Sequence, residues 1–409
     1  MSTLDEFSRM EAEMDLRIGV ADALGTDYFY LQEHLTPAQH EVLLRTREFV
    51  AEEVRPVIND YWERAEFPFP LVEKLADVGI IGDGIVGYGC PDLDPISVGL
   101  AYMELSRGDG SIGTFAGVQA GLAMRSIAQC GSEEQKQRWL PDMAQLRKIG
   151  AFALTEPEHG SDSIGLETSA RRDGDGYVIN GAKKWIGNGS IADVIVVWAR
   201  DTEDGQVKGF LVEKGTPGYH AEVITGKGAL RAVWQAQIQL DGVRVPAESR
   251  MPGANSFKDC ANVLVGTRSA CAWMALGHAL AGFDTALTYS RRRKQFGRPL
   301  AAFQIVQDRL VKMLADVTSM QLYCLQIGTL ATEGRLQPTL AGLAKMHNTS
   351  TARSILHTAR DMLGGNGILL DFQVIRHMAD VEAVHTFEGT ETMQTLIVGR
   401  DITGISAFA

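Results

Sequence analysis

Two long stretches of this chain, 261–293 and 303–336, contain no proline and keep a helical spacing of apolar residues. Proline removes a helical hydrogen bond and clashes with the preceding turn, so its absence over such lengths permits unbroken helices. Long helices joined by short loops bury their apolar stripes against one another, which predicts a bundle from about Asn255 onward.

Just before this region the helical period is missing. Between about Ala151 and Pro252, β-rich runs recur at 177–179, 194–198 and 210–212, and Val243 and Val245 alternate with polar residues. The dipeptides Asp175-Gly176, Asn180-Gly181 and Asp241-Gly242 read as turns between strands. The spacing predicts a small antiparallel barrel or sandwich with no βαβ rhythm. Further upstream, Thr36-Pro37 offers an N-cap and a first-turn proline ahead of Val42, Leu43, Phe49 and Val50. Leu71, Leu75 and Val78 make a second helical stripe, and Met103 and Leu105 belong to a third. The fold class is α+β: an acidic extension (1–35), an N-terminal helical domain (36–150), a β domain (151–254) and a C-terminal helical bundle (255–409).

Composition removes several functions. A net charge of -12 disfavours a nucleic-acid partner, which needs Lys and Arg to neutralise phosphates. No apolar run approaches the ~20 residues of a membrane span. The first residues are acidic and lack the apolar core of a signal peptide, and the ending GISAFA is no peroxisomal address, so a cytoplasmic location is expected. The five cysteines have no metal-ligand spacing, and His377 and His385 beside Glu382 lack a third ligand, so no metal is expected. Two GxGxxG matches, at Gly82, Gly84, Gly87 and at Gly108, Gly110, Gly113, follow helical patterns rather than strands. The fingerprint has meaning only at a strand-to-helix turn, and both are read as ordinary loops.

Four segments carry chemistry. At 153–162, Pro157 and Gly160 fix a turn that can present amides and hydroxyls to an anion or a ring edge. At 184–188, Trp185 stands beside a strand bend, although a lone tryptophan ordinarily packs in a core. The third segment, 293–300 followed by Gln304, opens in a basic run that would by itself read as a solvated helix face. The fourth pairs the glycine-rich 362–368 with 387–392, where Phe387 and Gly389 bracket Glu388. An apolar setting raises a carboxyl pKa by desolvation and suits it to general-base work. The plainer reading of Glu388 is a carboxylate near the positive end of a helix.

In this order the four segments resemble the acyl-CoA dehydrogenase family, from about residue 36 to 409, and within it the glutaryl-CoA dehydrogenases and plant short-chain acyl-CoA oxidases. The resemblance implies FAD, an acyl-CoA substrate, a middle antiparallel β-barrel, a C-terminal four-helix bundle and a homotetramer. It assigns Glu388 as the base that removes the α-proton, with electrons passing to electron-transfer flavoprotein. Phe152, Leu154 and Thr155 would lie against the flavin, with Trp185, Ile186 and Gly187 beside the ring and Ser161 near the pyrophosphate and CoA. Arg293, Phe296, Gln304, Gly364, Gly365 and Gly367 would reach a neighbouring subunit's FAD. Thr390 matches a flavin contact, and Arg268 and Gly389 match substrate contacts. Some relatives carry the base at the position of Thr267; threonine there leaves Glu388.

Two departures bear on the substrate and the acceptor. Glutaryl-CoA dehydrogenases place an arginine for the distal carboxylate where this chain has Gly113, and an arginine elsewhere, Arg107 for instance, could replace it. Many members carry threonine where this chain has Gly187, and the oxidases share the glycine. The expected reaction is oxidation of a short- or medium-chain acyl-CoA to the trans-2-enoyl-CoA. The alternatives are decarboxylating glutaryl-CoA dehydrogenation and an oxidase that makes H2O2.

Overall fold

The computed structural model describes residues 26–407, so positions 1–25 of the acidic extension lie outside the described residues. Helix α1 (Pro37–Phe49) begins in a capping box: Thr36 Oγ1 accepts from Gln39 N at 3.3 Å, and Gln39 Oε1 accepts from Thr36 N at 2.9 Å. Both donors would otherwise be orphaned at the helix start. The chain continues through α2 (Ile58–Arg64), α3 (Phe69–Val78), α4 (Pro95–Gly108), α5 (Gly110–Ala116), α6 (Arg125–Cys130) and α7 (Glu133–Ala144). Between α5 and α6 the backbone of Gly117–Met124 widens to π-helical winding without breaking the rod. Gly82, Gly84 and Gly87 fall in the turns after α3, and the other GxGxxG match spans the junction of α4 and α5. Neither match follows a strand.

The middle segment forms one sheet from β1 (Gly150–Ala153), β2 (Ser169–Asp173), β3 (Gly176–Gly187), β4 (Val194–Asp201), β5 (Val207–Glu213), β6 (Tyr219–Val223) and β7 (Gln235–Pro246). Its order is β1-β4-β2-β3-β7-β6, with β5 on the other side of β4. Two expectations need correction. The sheet is mixed, because β1 and β2 both run parallel to β4. β1 enters from the helical region and reaches β4 only after the whole β2–β3 hairpin, a long enough detour for parallel pairing.

The second correction concerns the turns. Asn180-Gly181 and Asp241-Gly242 lie inside β3 and β7 and face each other, with the Gly242 amide donating to Asn180 Oδ1 at 2.8 Å. The register jumps there, and buried residues switch from the even positions 236, 238 and 240 to the odd positions 243 and 245. One extra residue at a bulge turns the alternation over and bends the ribbon.

The C-terminal region contains α8 (Phe257–Arg292), α9 (Gln304–Thr332), α10 (Pro338–Met362), α11 (Val374–Thr386) and α12 (Glu391–Thr403). Helix α10 packs on the other four, and α8 also packs on α4, so one continuous core joins the two helical regions. A separate core fills the inner face of the sheet. Among the described residues no helix is long and apolar enough to cross a membrane.

Candidate active site

Glu388 stands in the turn between α11 and α12. The Phe387 amide closes α11 on Ala383 O, and Thr390 caps α12 by accepting from Met393 N at 3.3 Å. Between these stops Glu388 and Gly389 both adopt left-handed backbone, with φ of 57° and 88°. A non-glycine residue there costs on the order of 1–2 kcal/mol. The Glu388 N–H has no protein acceptor among the described residues.

The residue as a whole is half-buried, while its carboxyl group lies deep in protein. Thr267 Oγ1, on α8, lies 2.5 Å from Glu388 Oε2 and 3.0 Å from Leu264 O. A hydroxyl has one proton to give. It faces the carboxylate while Glu388 is ionised; once Glu388 carries a proton, the acid can donate and the hydroxyl can turn to Leu264. Burial pushes Glu388 above the ordinary carboxylate range, against the Thr267 hydrogen bond and the charges of Lys345 and Arg268. Arg268 is half-buried, and its Nε has no partner among the described residues.

The β domain supplies a second wall. Phe152 and Leu154 are buried, and the following turn is tied to β3 by the Lys184 amide on Thr155 O at 2.9 Å. Lys183 underlies that turn, with Nζ 2.9 Å from both Leu154 O and Glu156 Oε1. A second register jump, between Lys183 and Ile186, adds one residue to β3, and Trp185 swings out at φ 64°. Trp185 is therefore 55% exposed rather than packed in a core, and presents a flat aromatic face, while Ile186 is buried. A Cβ at Gly187 would lie 2.7 Å from Val118 Cγ2, so a valine takes the space that a side chain would need. Ser161 is exposed beyond the turn.

Arg293, Phe296, Gln304 and the glycines at 364, 365 and 367 form a group elsewhere. A hairpin of 294–295 and 298–299 follows the end of α8, and Phe296 at its tip is 93% exposed. The 364–368 turn is tied to the last turns of α8, with Asn366 Nδ2 donating to Tyr289 OH at 3.2 Å. From Thr267 to the end of α8 the helix advances about 38 Å at 1.5 Å per residue. This group is therefore remote from Glu388 of its own chain.

Arg107, the cation expected to be able to replace an arginine at 113, is buried and bonded to Asp284, with Glu104 at 3.5 Å. A side chain begun at Gly113 would run into Ser106 Oγ. Sequence reasoning missed Lys345 and Gln394, both 1% exposed and both bonded to the carbonyls around Glu388. Lys345 shares a helical face with Ala341, Ala344, Asn348 and Ala352, all buried, and a lysine on such a stripe was the signal available.

Models of the acyl-CoA dehydrogenase N-terminal, middle and C-terminal domains match residues 36–147, 151–243 and 257–403. Short-chain specific acyl-CoA dehydrogenase of Bos taurus mitochondria is 33% identical over 88% of this chain and 89% of its own. The solved glutaryl-CoA dehydrogenase of Mycobacterium smegmatis is 40% identical, with a TM-score of 0.91 over 96% of this chain and 100% of its own. A glutaryl-CoA dehydrogenase structure from the same organism, in complex with FADH2, is 36% identical with a TM-score of 0.91, over 93% of this chain and 98% of its own.

Proposed function

The chain belongs to the acyl-CoA dehydrogenase family, and from that premise we propose that it oxidises a short- or medium-chain, unbranched acyl-CoA to the trans-2-enoyl-CoA, with electrons passing to an electron-transfer flavoprotein. The observation that carries this reading is the Glu388 turn, which puts a desolvated carboxyl group and an unengaged backbone N–H at one point.

Glu388 takes the substrate's α-proton on Oε1 while Thr267 holds Oε2. Ionised and desolvated, the carboxylate is a stronger base than in water. The α-proton becomes removable when a donor stabilises the developing enolate oxygen, and the Glu388 N–H is available to the thioester carbonyl. The half-buried Arg268 guanidinium, next to Thr267 on α8, suits the polar portion of the thioester.

The residues fit FAD in two places. Trp185 offers an exposed aromatic face beside the Thr155 turn, matched to a planar ring, and the Arg293 hairpin with the glycine turn offers forked donors and close backbone to a diphosphate. FAD, when bound, supplies the acceptor for the hydride leaving the β-carbon. The axial distance along α8 separates the two places too far for one chain to use both on one flavin. A homotetramer, in which each hairpin serves a neighbour's site, satisfies that geometry.

The likeness to glutaryl-CoA dehydrogenases favours a second reading, oxidative decarboxylation of glutaryl-CoA. It needs a cation for the distal carboxylate. Gly113 gives none, and Arg107 is held by Asp284 and Glu104. A carboxylate stripped of water without a partner costs several kcal/mol. Anaerobic flavin bleaching by butyryl-CoA and by glutaryl-CoA separates the two. Fast bleaching by butyryl-CoA alone is expected, and efficient conversion of glutaryl-CoA to crotonyl-CoA and CO2 overturns it. Mixing the reduced enzyme with air-saturated buffer and with electron-transfer flavoprotein then tests the acceptor. Rapid peroxide formation without transfer to the flavoprotein would make it an oxidase.

A further inference from the structure

We propose that Lys345 and Gln394 are positioning residues for the base, clamping the three consecutive carbonyls that surround Glu388 and so holding its left-handed turn. The inference rests on the reading of Glu388 as the base. Lys345 Nζ, on α10, donates to both Phe387 O and Gly389 O, the carbonyls before and after Glu388. From the other side Gln394 Nε2, on α12, donates to Glu388 O at 3.0 Å and Gly389 O at 3.4 Å. Every carbonyl from 387 to 389 therefore ends on one of two side chains.

Neither residue is placed for ordinary stability. A buried ammonium normally faces a carboxylate, yet both hydrogen bonds of the Lys345 ammonium among the described residues go to the carbonyls of the turn. Gln394 reaches the turn because residue 342 on α10 is glycine: a Cβ there would lie 2.6 Å from Gln394 Oε1. Flipping the Gln394 amide would set oxygen against two carbonyls, so the orientation follows from the contacts.

A glutamate held in the left-handed region is strained, and such a conformation persists only when its surroundings over-determine it. The clamp supplies that determination. It directs three carbonyls inward, which leaves the Glu388 N–H outward and sets the side chain against Thr267. Lys345 also adds positive charge near the carboxylate. The other titratable groups facing Glu388 are Arg268 on its own side of α8 and the thiols of Cys260 and Cys271, both pushed up by burial.

The test uses full-length, FAD-loaded enzyme and three variants, Gln394→Met, Lys345→Met and Glu388→Gln. Anaerobic flavin reduction by butyryl-CoA is followed against pH, together with crotonyl-CoA binding by flavin absorbance, FAD content and melting temperature. Gln394→Met keeps every charge. It should reduce flavin roughly 10²-fold more slowly, the loss typical of a misplaced catalytic group, with crotonyl-CoA affinity and pH profile unmoved. Lys345→Met should lose at least as much, and its rising limb should move to higher pH because a cation that favours the carboxylate is gone. If Lys345→Met does not fold, Gln394→Met decides alone. A folded, FAD-replete Gln394→Met with wild-type reduction overturns the clamp, as does a loss of rate that merely follows lost FAD. Glu388→Gln separates the failures: if it still reduces flavin, the base assignment falls; if it does not and Gln394→Met is unaffected, only the clamp falls.

Discussion

At position 388 the chain keeps a carboxyl group in surroundings that favour its neutral form. A carboxyl whose folded pKa lies above its unfolded value contributes stability below about 4.3 that is lost as pH rises through the folded pKa. Glu388→Gln should therefore melt higher than wild type at pH 8 and at nearly the same temperature at pH 4, while flavin reduction falls by at least ~10²-fold. The rising limb of the wild-type rate profile should lie above the ordinary glutamate range. A smaller test concerns Gly187. Threonine there meets Val118 Cγ2, and overpacking of this kind typically costs about 1–3 kcal/mol. Gly187→Thr should lower the denaturation midpoint, and adding Val118→Ala should restore most of it.

The β3 strand supports the site from beneath as well as at its exposed end. Its Lys183 is fully buried and holds the 154–156 turn. Burial pulls the Lys183 ammonium down to about 8, while on Glu156 the lysine charge and the Glu167 and Thr168 hydrogen bonds outweigh burial and bring it to about 2. Both groups are charged at neutral pH, so Lys183→Met would leave a buried carboxylate unpaired and cost roughly 3–5 kcal/mol in urea denaturation. The order of helices, strands and helices was legible in the sequence because periodicity is local, and so were the N-cap at Thr36 and the first-turn proline at Pro37. The turn dipeptides of β3 and β7 misled because Asn-Gly and Asp-Gly provide positive φ at bulges as well as at turns. Trp185 was legible as a motif, but its exposure depends on an added residue opposite β7. Lys345 and Gln394 were missed because their partners are carbonyls, which leave no mark in a sequence.

Across the whole molecule, the three parts of the fold meet at a buried histidine pair. His278 on α8 and His377 on α11 lie with Nδ1 atoms 2.9 Å apart, so one donates, the other accepts, and both are neutral. Gly110 packs on His278 and Asp380, and Asp380 accepts from Trp62 Nε1 at 3.0 Å and Leu230 N at 2.6 Å. Burial pulls both rings down, His278 to about 3, with Arg376 adding to the effect on each. A depressed histidine contributes stability above its unfolded value near ~6.5 that is lost as pH falls toward the folded value, up to about 1.4 kcal/mol per pH unit for each proton. Asp380, pushed up by burial and by Asp109, works in the opposite sense as pH rises. Replacing both histidines with glutamine should lower stability at pH 7 and flatten its decline between about pH 6.5 and 4, read from denaturant midpoints across that range.

The distance along α8 from Thr267 to the Arg293 hairpin has a further consequence, one of mass action. In the proposed arrangement, where Arg293 reaches a neighbouring subunit's flavin, Arg293→Ala would remove a contact of roughly 1.5–3 kcal/mol. When a ligand binds only the assembled form, its affinity and the assembly constant are linked. Dilution should release flavin from wild type, added FAD should draw dissociated subunits together, and specific activity should rise with protein concentration until the assembled form saturates. Arg293→Ala should shift that rise to higher concentration without altering the rate at the plateau. Flavin fluorescence against dilution, read alongside light scattering, follows both equilibria in one experiment, and flavin retention independent of concentration would place the hairpin outside any shared site.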